Sequence, residues 1–331
     1  MRTYSVAIVG ATGMVGRKMA QVLAERKFPV QRIQFFASER SNGKELKFAG
    51  MSHRVQTLTS RSFAGVEIAL FSPGATVSKE MAPHAVKSGT LVIDNSSAFR
   101  MDEQVPLVVP EVNREKIFQH KGIIANPNCS TIQMVVTLKP LHDRWKIKRV
   151  VVATYQSVSG AGNRGSTQLR QEIAGEALTE KQFAHPIAFN VLPHVDVFFD
   201  DGYTREEVKM VMETQKIMGD NSIKVNATCV RVPVYVSHSE SVNVEFERPF
   251  DLSEVRQILA RAPGVVVQDV PAENFYPLAI NAAERDEVFV GRLRRDDTVP
   301  NGLAMWIVSD NLRKGAATNA VQIAEEWIKG E

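Results

Sequence analysis

Cysteine is scarce here: two, Cys129 and Cys229, in a chain of 331 residues. Two thiols in a chain this long do not make a disulfide framework. Charge of one sign is also in short supply. Forty Lys and Arg against 37 Asp and Glu leave a net +3, and no dense basic stripe carries interleaved aromatics, so nucleic-acid binding has no support. A slight positive bias does suit an anionic substrate or cofactor. Long apolar runs are missing, and none reaches the length of a membrane span. The first residues, Met1-Arg2-Thr3-Tyr4, lead into a strand with no signal-peptide core, so the expected location is the cytoplasm. Internal repeats and low-complexity linkers are absent too. What remains is 44% hydrophobic and 23% charged, and long enough for two sizeable cores.

Ser5-Val6-Ala7-Ile8-Val9 is a continuous apolar run, as expected of a buried parallel strand. Gly10-Ala11-Thr12-Gly13-Met14-Val15-Gly16 follows at once, and then a helical period begins at Arg17. Strand, glycine turn and helix make a dinucleotide-binding unit. Glycines let the backbone approach a pyrophosphate, and the helix N-terminus stabilises its charge. The spacing G-x-x-G-x-x-G departs from the standard G-x-G-x-x-G, and a plain strand-to-helix turn is the bland alternative. The next strand, Ile33 to Ala37, runs into Ser38-Glu39-Arg40-Ser41. Arginine and small hydroxyls at this place suit a 2′-phosphate and favour NADP, whereas an acid would select NAD, so Glu39 is the complication. Strands at Glu67 to Phe71 and Thr90 to Asp94 alternate with helical or loop segments, which predicts a doubly wound parallel sheet. Ser72 and Arg100 lie just beyond strand C-termini, where ligands bind in such sheets.

The sheet leads to Asn126-Pro127-Asn128-Cys129-Ser130-Thr131, between the apolar run Gly122 to Ala125 and a helix read from Ile132. At a strand-to-helix junction, free backbone N–H groups and the helix dipole favour thiolate over thiol, and thiolate is the nucleophile. Cys129 is either that nucleophile or a buried inert cysteine. Cys229, in the strand-like Val225 to Val230, reads as core filler.

Beyond Cys129 the pattern changes. A strand at Val150 to Tyr155 meets Gln156-Ser157-Val158-Ser159-Gly160-Ala161-Gly162, a turn-forming cluster. Helices are expected at Thr167 to Ala177 and at Thr204 to Met218, with Thr204 as N-cap. Glu206 and Lys209 lie about one turn apart on the latter, a spacing equally suited to a solvated ion pair. Long strands at Lys224 to Val236 and Ser241 to Glu247, the second alternating, suit an antiparallel sheet. His238 stands between them, with Arg231 upstream. A thiol nucleophile needs a proton-handling partner, though spacing alone cannot bring His238 to Cys129. A short helix at Leu252 to Ala262, strands near Phe289 and Met305, and an amphipathic helix at Gly315 to Ile328 complete the chain.

Taken together, the glycine loop, the Asn126 to Thr131 block, the Gln156 to Gly162 block, Pro186 to Asn190, Arg231-Val232-Pro233 with His238, and Asp310 to Ala317 resemble the bacterial aspartate-semialdehyde dehydrogenases nearly end to end. The resemblance implies an α/β fold. A Rossmann-like domain would span 1–128 plus 311–331, and an α+β catalytic and dimerisation domain 129–310, with the last helix returning to the first domain. It implies Cys129 as acyl-enzyme nucleophile, His238 as acid/base and Gln156 orienting the acyl group. Arg231 would pair with the substrate carboxylate and Glu206 with its ammonium, while Arg100 and Lys209, with Asn128 beside them, would hold phosphate. NADP would contact the loop from Gly10 through Thr12, Gly13, Met14 and Val15, together with Ser38, Arg40, Ser41, Ser72, Ser159, Gly160 and Asn311. No metal is implied. Glu39 falls at a variable place in the family's Ser-x-Arg-Ser turn.

The implied reaction is NADPH-dependent reductive dephosphorylation of L-aspartyl 4-phosphate to the semialdehyde through a thioester, in lysine, threonine and methionine biosynthesis. The partners are small molecules and a second copy of the chain. Two rivals are weighed. One is an N-acetyl-glutamyl-phosphate reductase, which needs no acid for an ammonium. The other is a non-catalytic NADP-binding paralogue. A redox switch lacks a resolving cysteine.

Overall fold

The structure, a computed structural model, describes residues 2–330. Two compact units emerge, one running to Asn128 and resuming at Ala316, the other Cys129–Gly315.

In the first unit the strands are β1 (Tyr4–Val9), β2 (Val30–Ala37), β3 (Glu45–Phe48), β4 (Met51–Thr57), β5 (Ile68–Phe71), β6 (Leu91–Asp94) and β7 (Ile123–Ala125). They form one sheet in the order β3-β4-β2-β1-β5-β6-β7, parallel except for the antiparallel β3–β4 pair. Every residue of β1 is buried because apolar clusters cover both faces. Val6, Ile8, Leu70 and Ile93 pack with Ala320 and Val321 of the C-terminal helix (Thr318–Lys329) on one side. Ala7, Val9, Phe63 and Phe71 pack on the other. The continuous apolar run of a parallel strand follows from this double cover.

The strand order reverses at β1, between β2 and β5, and the loops after β1 and β5 meet there. Gly10 takes φ +79°, and a Cβ on it would sit 2.7 Å from the Ser72 carbonyl carbon. One turn into helix α1 (Met14–Glu25), a Cβ on Gly16 would lie 2.4 Å from the Gly10 carbonyl oxygen. The first glycine thus serves the turn and the third the close approach of helix to strand. Helices α2 (Ala75–Lys87) and α3 (Pro110–Asn113) complete this unit's connections.

The second unit opens on helix α4 (Cys129–Trp145), so the helix begins at the cysteine itself and not at Ile132. It continues with β8 (Ile147–Gln156), α5 (Gly162–Ala174), α6 (Arg205–Met218), β9 (Lys224–Arg231), β10 (His238–Phe246), α7 (Leu252–Arg261), β11 (Val265–Val267), α8 (Ala279–Ala282), β12 (Val288–Asp296) and β13 (Gly302–Ser309). The sheet order is β11-β12-β13-β10-β8-β9. Its centre is antiparallel, but β9 runs parallel to β8, and β11 parallel to β12. The two successive long strands, β9 and β10, are therefore separated by β8. His238 is the first residue of β10, not part of a loop between strands. Thr204 caps α6 in a full capping box with Glu207.

Helix α4 packs on β8, β10, β12 and β13 and is also touched by α6 and α7, which explains its nearly unbroken burial. The sheet face under it is layered by register. One row runs Arg231, Gln156, His238, Ser309; the next Cys229, Thr154, Glu240, Ile307; the next Ala227, Val152, Val242, Met305. All twelve are buried. Polar chemistry occupies the row at the strand ends and is replaced by apolar filling two rows deeper. Residues 311–315 belong to this unit, whereas the sequence reading assigns them to the first. Asn311 is bonded to Ser157, Ser159 and Ser237, and a Cβ on Gly315 would lie 2.8 Å from that of Cys129.

Candidate active site

Cys129 is half-buried at the first position of α4, at the positive end of the helix dipole, which favours an anion. A thiolate there would favour the charged form of Arg231 in the end row of the sheet. Arg231 is 6% exposed; one Nη donates to the Ser157 carbonyl at 2.6 Å, and the guanidinium lies 5.9 Å from the Phe183 ring centroid. Burial draws its pKa down, and Glu206 works the other way. Gln156 donates to Glu206 Oε1 at 3.0 Å and accepts from Thr154 Oγ1 at 3.1 Å. Glu206 is 5% exposed, and Lys209 donates to its Oε2 at 3.1 Å and to Asp196 at 2.7 Å. Burial opposes the Lys209 charge, but Glu206 and Asp196 together outweigh it and raise the pKa. The solvated ion-pair alternative for Glu206 and Lys209 therefore fails, because one member is inside the protein and bonded to Gln156.

His238 is fully buried. The backbone N–H of Ser157 donates to Nδ1 at 3.0 Å, so the neutral ring carries its proton on Nε2. Nε2 has no hydrogen-bond partner among the described residues. A Cβ on Gly160 would come within 3.3 Å of Nε2 and 2.8 Å of an Arg231 Nη, which is why a glycine sits where the loop crosses both. Burial first, then Arg231, pulls the pKa of His238 from 6.5 down to about 3. The ring is thus neutral when folded, and it binds a proton near pH 6.5 when unfolded. The stability this contributes is present above pH 6.5 and is lost as pH falls towards 3. Urea unfolding measured against pH should show that loss, on the order of a few kcal/mol, and His238→Asn should flatten it.

In the first unit, Gly13 caps α1 without a side-chain hydrogen bond, and the first turn carries no acid. That end of the helix suits an anion. Thr12 Oγ1 and Ser41 Oγ lie 3.3 Å apart, with Ser38 and Arg40 exposed beside Ser41. Arg100 is buried and bonds the carbonyls of Asn126 and Asn95, and is not a surface charge. Asn128 is buried at the end of this unit.

A family model described as "Semialdehyde dehydrogenase, NAD binding domain" matches residues 5–120, and one described as "Semialdehyde dehydrogenase, dimerisation domain" matches 138–314. The chain is 58% identical to the aspartate-semialdehyde dehydrogenase of Aquifex aeolicus, over 98% of each chain. It belongs to the aspartate-semialdehyde dehydrogenase family. The crystal structure of the Vibrio cholerae enzyme II complexed with ASA superposes with a TM-score of 0.96, at 48% identity over 99% of both chains. The Candida albicans aspartate-semialdehyde dehydrogenase, a structure with NADP, does so at 0.78, with 26% identity over 98% of both.

Within the family fold, the second unit brings Gln156, Glu206, Lys209, Arg231 and His238 into one bonded or stacked set, with Ser159, Gly160 and Asn311 beside it. Asn311 is already engaged: Nδ2 donates to Ser159 Oγ, and Oδ1 accepts from Ser237 N. Three groups escape the sequence reading. Ser157 links Arg231 to His238 through its own carbonyl and N–H. Asp196 anchors Lys209 from a loop whose sequence carries no signal. Glu172 holds the backbone of Ile187 and Ala188, each at 2.7 Å, and so shapes the loop that carries Pro186 to Asn190.

Proposed function

We propose that this enzyme carries out the NADPH-dependent reductive dephosphorylation of L-aspartyl 4-phosphate to L-aspartate 4-semialdehyde through a thioester on Cys129. The observation that carries this is the buried row Arg231, Gln156 and His238, bonded through Gln156 to Glu206 and under the helix that starts at Cys129. A buried guanidinium and a buried carboxylate in the same residue set suit the two ends of an α-amino acid. Cys129 attacks the acyl carbon and the phosphate leaves with the bonding pair, so that one hard displacement becomes two easier steps. Lys209 of the second unit, and Arg100 and Asn128 of the first, are the groups that the family resemblance assigns to the phosphate. Gln156 orients the acyl group. His238 presents Nε2–H to the reacting centre, where it stabilises negative charge on carbonyl oxygen or sulfur.

NADP fits the first unit. Gly10 to Val15 would hold the pyrophosphate at the N-terminus of α1, which has no side-chain cap, Ser38, Arg40 and Ser41 with Thr12 would hold the 2′-phosphate, and Ser72 lies at the switch point. Ser159, Gly160 and Asn311 of the second unit are the groups that the family resemblance assigns to the same cofactor. When bound, NADPH supplies hydride to the thioester carbonyl. The nucleotide domain would comprise 1–128 with the chain's C-terminal return, and the match to a dimerisation domain supports a homodimer. Among the described residues no helix is long and apolar enough to cross a membrane, and the biosynthetic reaction supports a cytoplasmic location.

Parallel assays with aspartyl phosphate and N-acetylglutamyl phosphate, each with NADPH, test the substrate. Turnover of the first is expected, and turnover of only the acetylated compound would overturn the reading. Mass spectrometry after adding the semialdehyde and NADP without phosphate should show an acyl adduct on Cys129, and its absence would favour the non-catalytic paralogue.

A further inference from the structure

Two buried polar side chains below the active site play no part in the chemistry just described. Glu240 is 0% exposed and Gln133 is 1% exposed. Neither carboxyl oxygen of Glu240 and neither polar atom of the Gln133 amide has a hydrogen-bond partner among the described residues. Each such group left without a partner is destabilising, more so where a charge is involved. Apolar residues of similar size would give a more stable core. A costly pair in the densest part of the second unit needs a reason.

The register supplies it. Glu240 follows His238 by two residues on β10, so both side chains point to the face covered by α4. Gln133 follows Cys129 by four residues on α4, so both lie on one side of the helix, one turn apart. A helical turn and a two-residue strand step cover nearly the same length, about 5–7 Å. Cys129 is therefore level with the end row, and Gln133 is level with the row that holds Glu240. The two side chains face each other closely enough for Gln133 to lower the pKa of the Glu240 carboxyl, without the full geometry of a hydrogen bond.

We propose that Glu240 is a positioning residue held as a neutral carboxylic acid, which with Gln133 sets the first turn of α4, and hence Cys129, over the end row of the sheet. A neutral acid can donate to the amide oxygen while accepting from its nitrogen, so the pair can close on one another. Burial pushes the carboxyl well above its usual range, with Gln133 opposing only in part. The ionisable groups around this layer are His238 on the same strand, Cys229 and Arg231 on β9, Cys129 on α4, and Glu206 and Glu207 on α6. Negative charge at Glu206, Glu207 and Glu240 all acts on the Cys229 thiol in the same direction, so a further carboxylate here would add to a negative field. Keeping Glu240 neutral spares Cys129 a like charge one row below. This inference rests on Cys129 being the nucleophile.

The test compares Glu240→Gln, Glu240→Leu and Gln133→Leu by three readouts: kcat and KM for the acyl phosphate, the rate of Cys129 alkylation by iodoacetamide against pH, and unfolding by urea against pH. Glu240→Gln, a neutral isostere, should stay within about threefold of wild type in kcat, the scale of one ordinary hydrogen bond. Glu240→Leu and Gln133→Leu should each lower kcat by about 10²-fold with KM little changed, and shift the alkylation profile, the signature of a misplaced nucleophile. A carboxyl raised in the folded state contributes stability that is lost as pH rises through the folded pKa, so wild type should weaken towards alkaline pH relative to Glu240→Gln. If Glu240→Gln is as impaired as Glu240→Leu, the group works as a carboxylate and the proposal fails. It fails equally if Glu240→Leu, or Gln133→Leu should the first not fold, matches wild type in kcat and alkylation. Alkylation does not depend on the substrate, so it reports on Cys129 positioning even if the acyl phosphate assignment is wrong.

Discussion

Cys129→Ala should remove turnover while leaving both units folded. The substitution deletes only Sγ. The Cβ that packs against Gly315 remains, and the site is half-buried, so no sealed cavity is created. Without sulfur no thioester can form, and the loss in kcat should be at least about 10⁴-fold, the scale seen when a covalent nucleophile is removed. NADPH binding, read by the fluorescence of the reduced nicotinamide, should be unchanged, because the proposed phosphate cradle lies in the other unit. The acyl adduct should vanish from the mass spectrum. Cys129→Ser tests the same point more finely, since it keeps the shape but offers a hydroxyl that is hardly ionised at neutral pH. Turnover within tenfold of wild type in the alanine variant would remove the covalent mechanism altogether.

Much of the first unit could be read because its evidence is local. A parallel strand covered on both faces writes itself as an unbroken apolar run, and a glycine turn before a helix follows at once in β1 and α1. The hairpin of β3 and β4 went unread because its strands are half-wet and polar, Glu45 to Phe48 and Met51 to Thr57. In the second unit, Gly162 and Gly165 look like turn residues, and the sequence reading accordingly starts the helix at Thr167. The helix starts at Gly162, and a Cβ on Gly165 would sit 2.5 Å from the Val158 carbonyl oxygen, so that glycine answers to packing. Likewise the polar Asn126 to Thr131 stretch delayed the reading of α4, although a helix start, whose N–H groups need partners outside the helix, is where polar residues are wanted.

The site divides along the same line. Glu206 and Lys209 are visible as a one-turn pair, but whether such a pair is wet or buried depends on what covers it. Here the Gln156 amide meets Glu206 from a strand fifty residues earlier. The alignment of Arg231, Gln156 and His238 depends on the pairing of β8 with both β9 and β10, and no local pattern encodes that order. Reading the second strand from Ser241 also left Glu240 in a supposed turn, where a charged residue raises no question. Placed on β10, the same residue is buried, and its charge becomes a problem to explain.

Arg231→Leu should produce the second large effect, because the guanidinium has two tasks. It lies in the end row of the sheet, where the substrate carboxylate is expected, and it bonds the Ser157 carbonyl, whose residue in turn donates its N–H to His238. Loss of the fork leaves a substrate carboxylate unpaired in a buried site, a defect that sites built for polar recognition punish by about 10³-fold or more in kcat/KM. Arg231→Lys restores charge but not the planar pair of donors, so it should recover only part of that loss. The split between constants separates the two tasks. If carboxylate binding dominates, KM rises and kcat holds. If the Ser157 link to His238 dominates, kcat falls in both variants with KM little changed. We expect both to move in Arg231→Leu and mainly KM in Arg231→Lys, with NADPH affinity unaltered. A leucine variant within tenfold of wild type in kcat/KM would show that the carboxylate is held elsewhere, and the substrate orientation proposed above would have to be reversed.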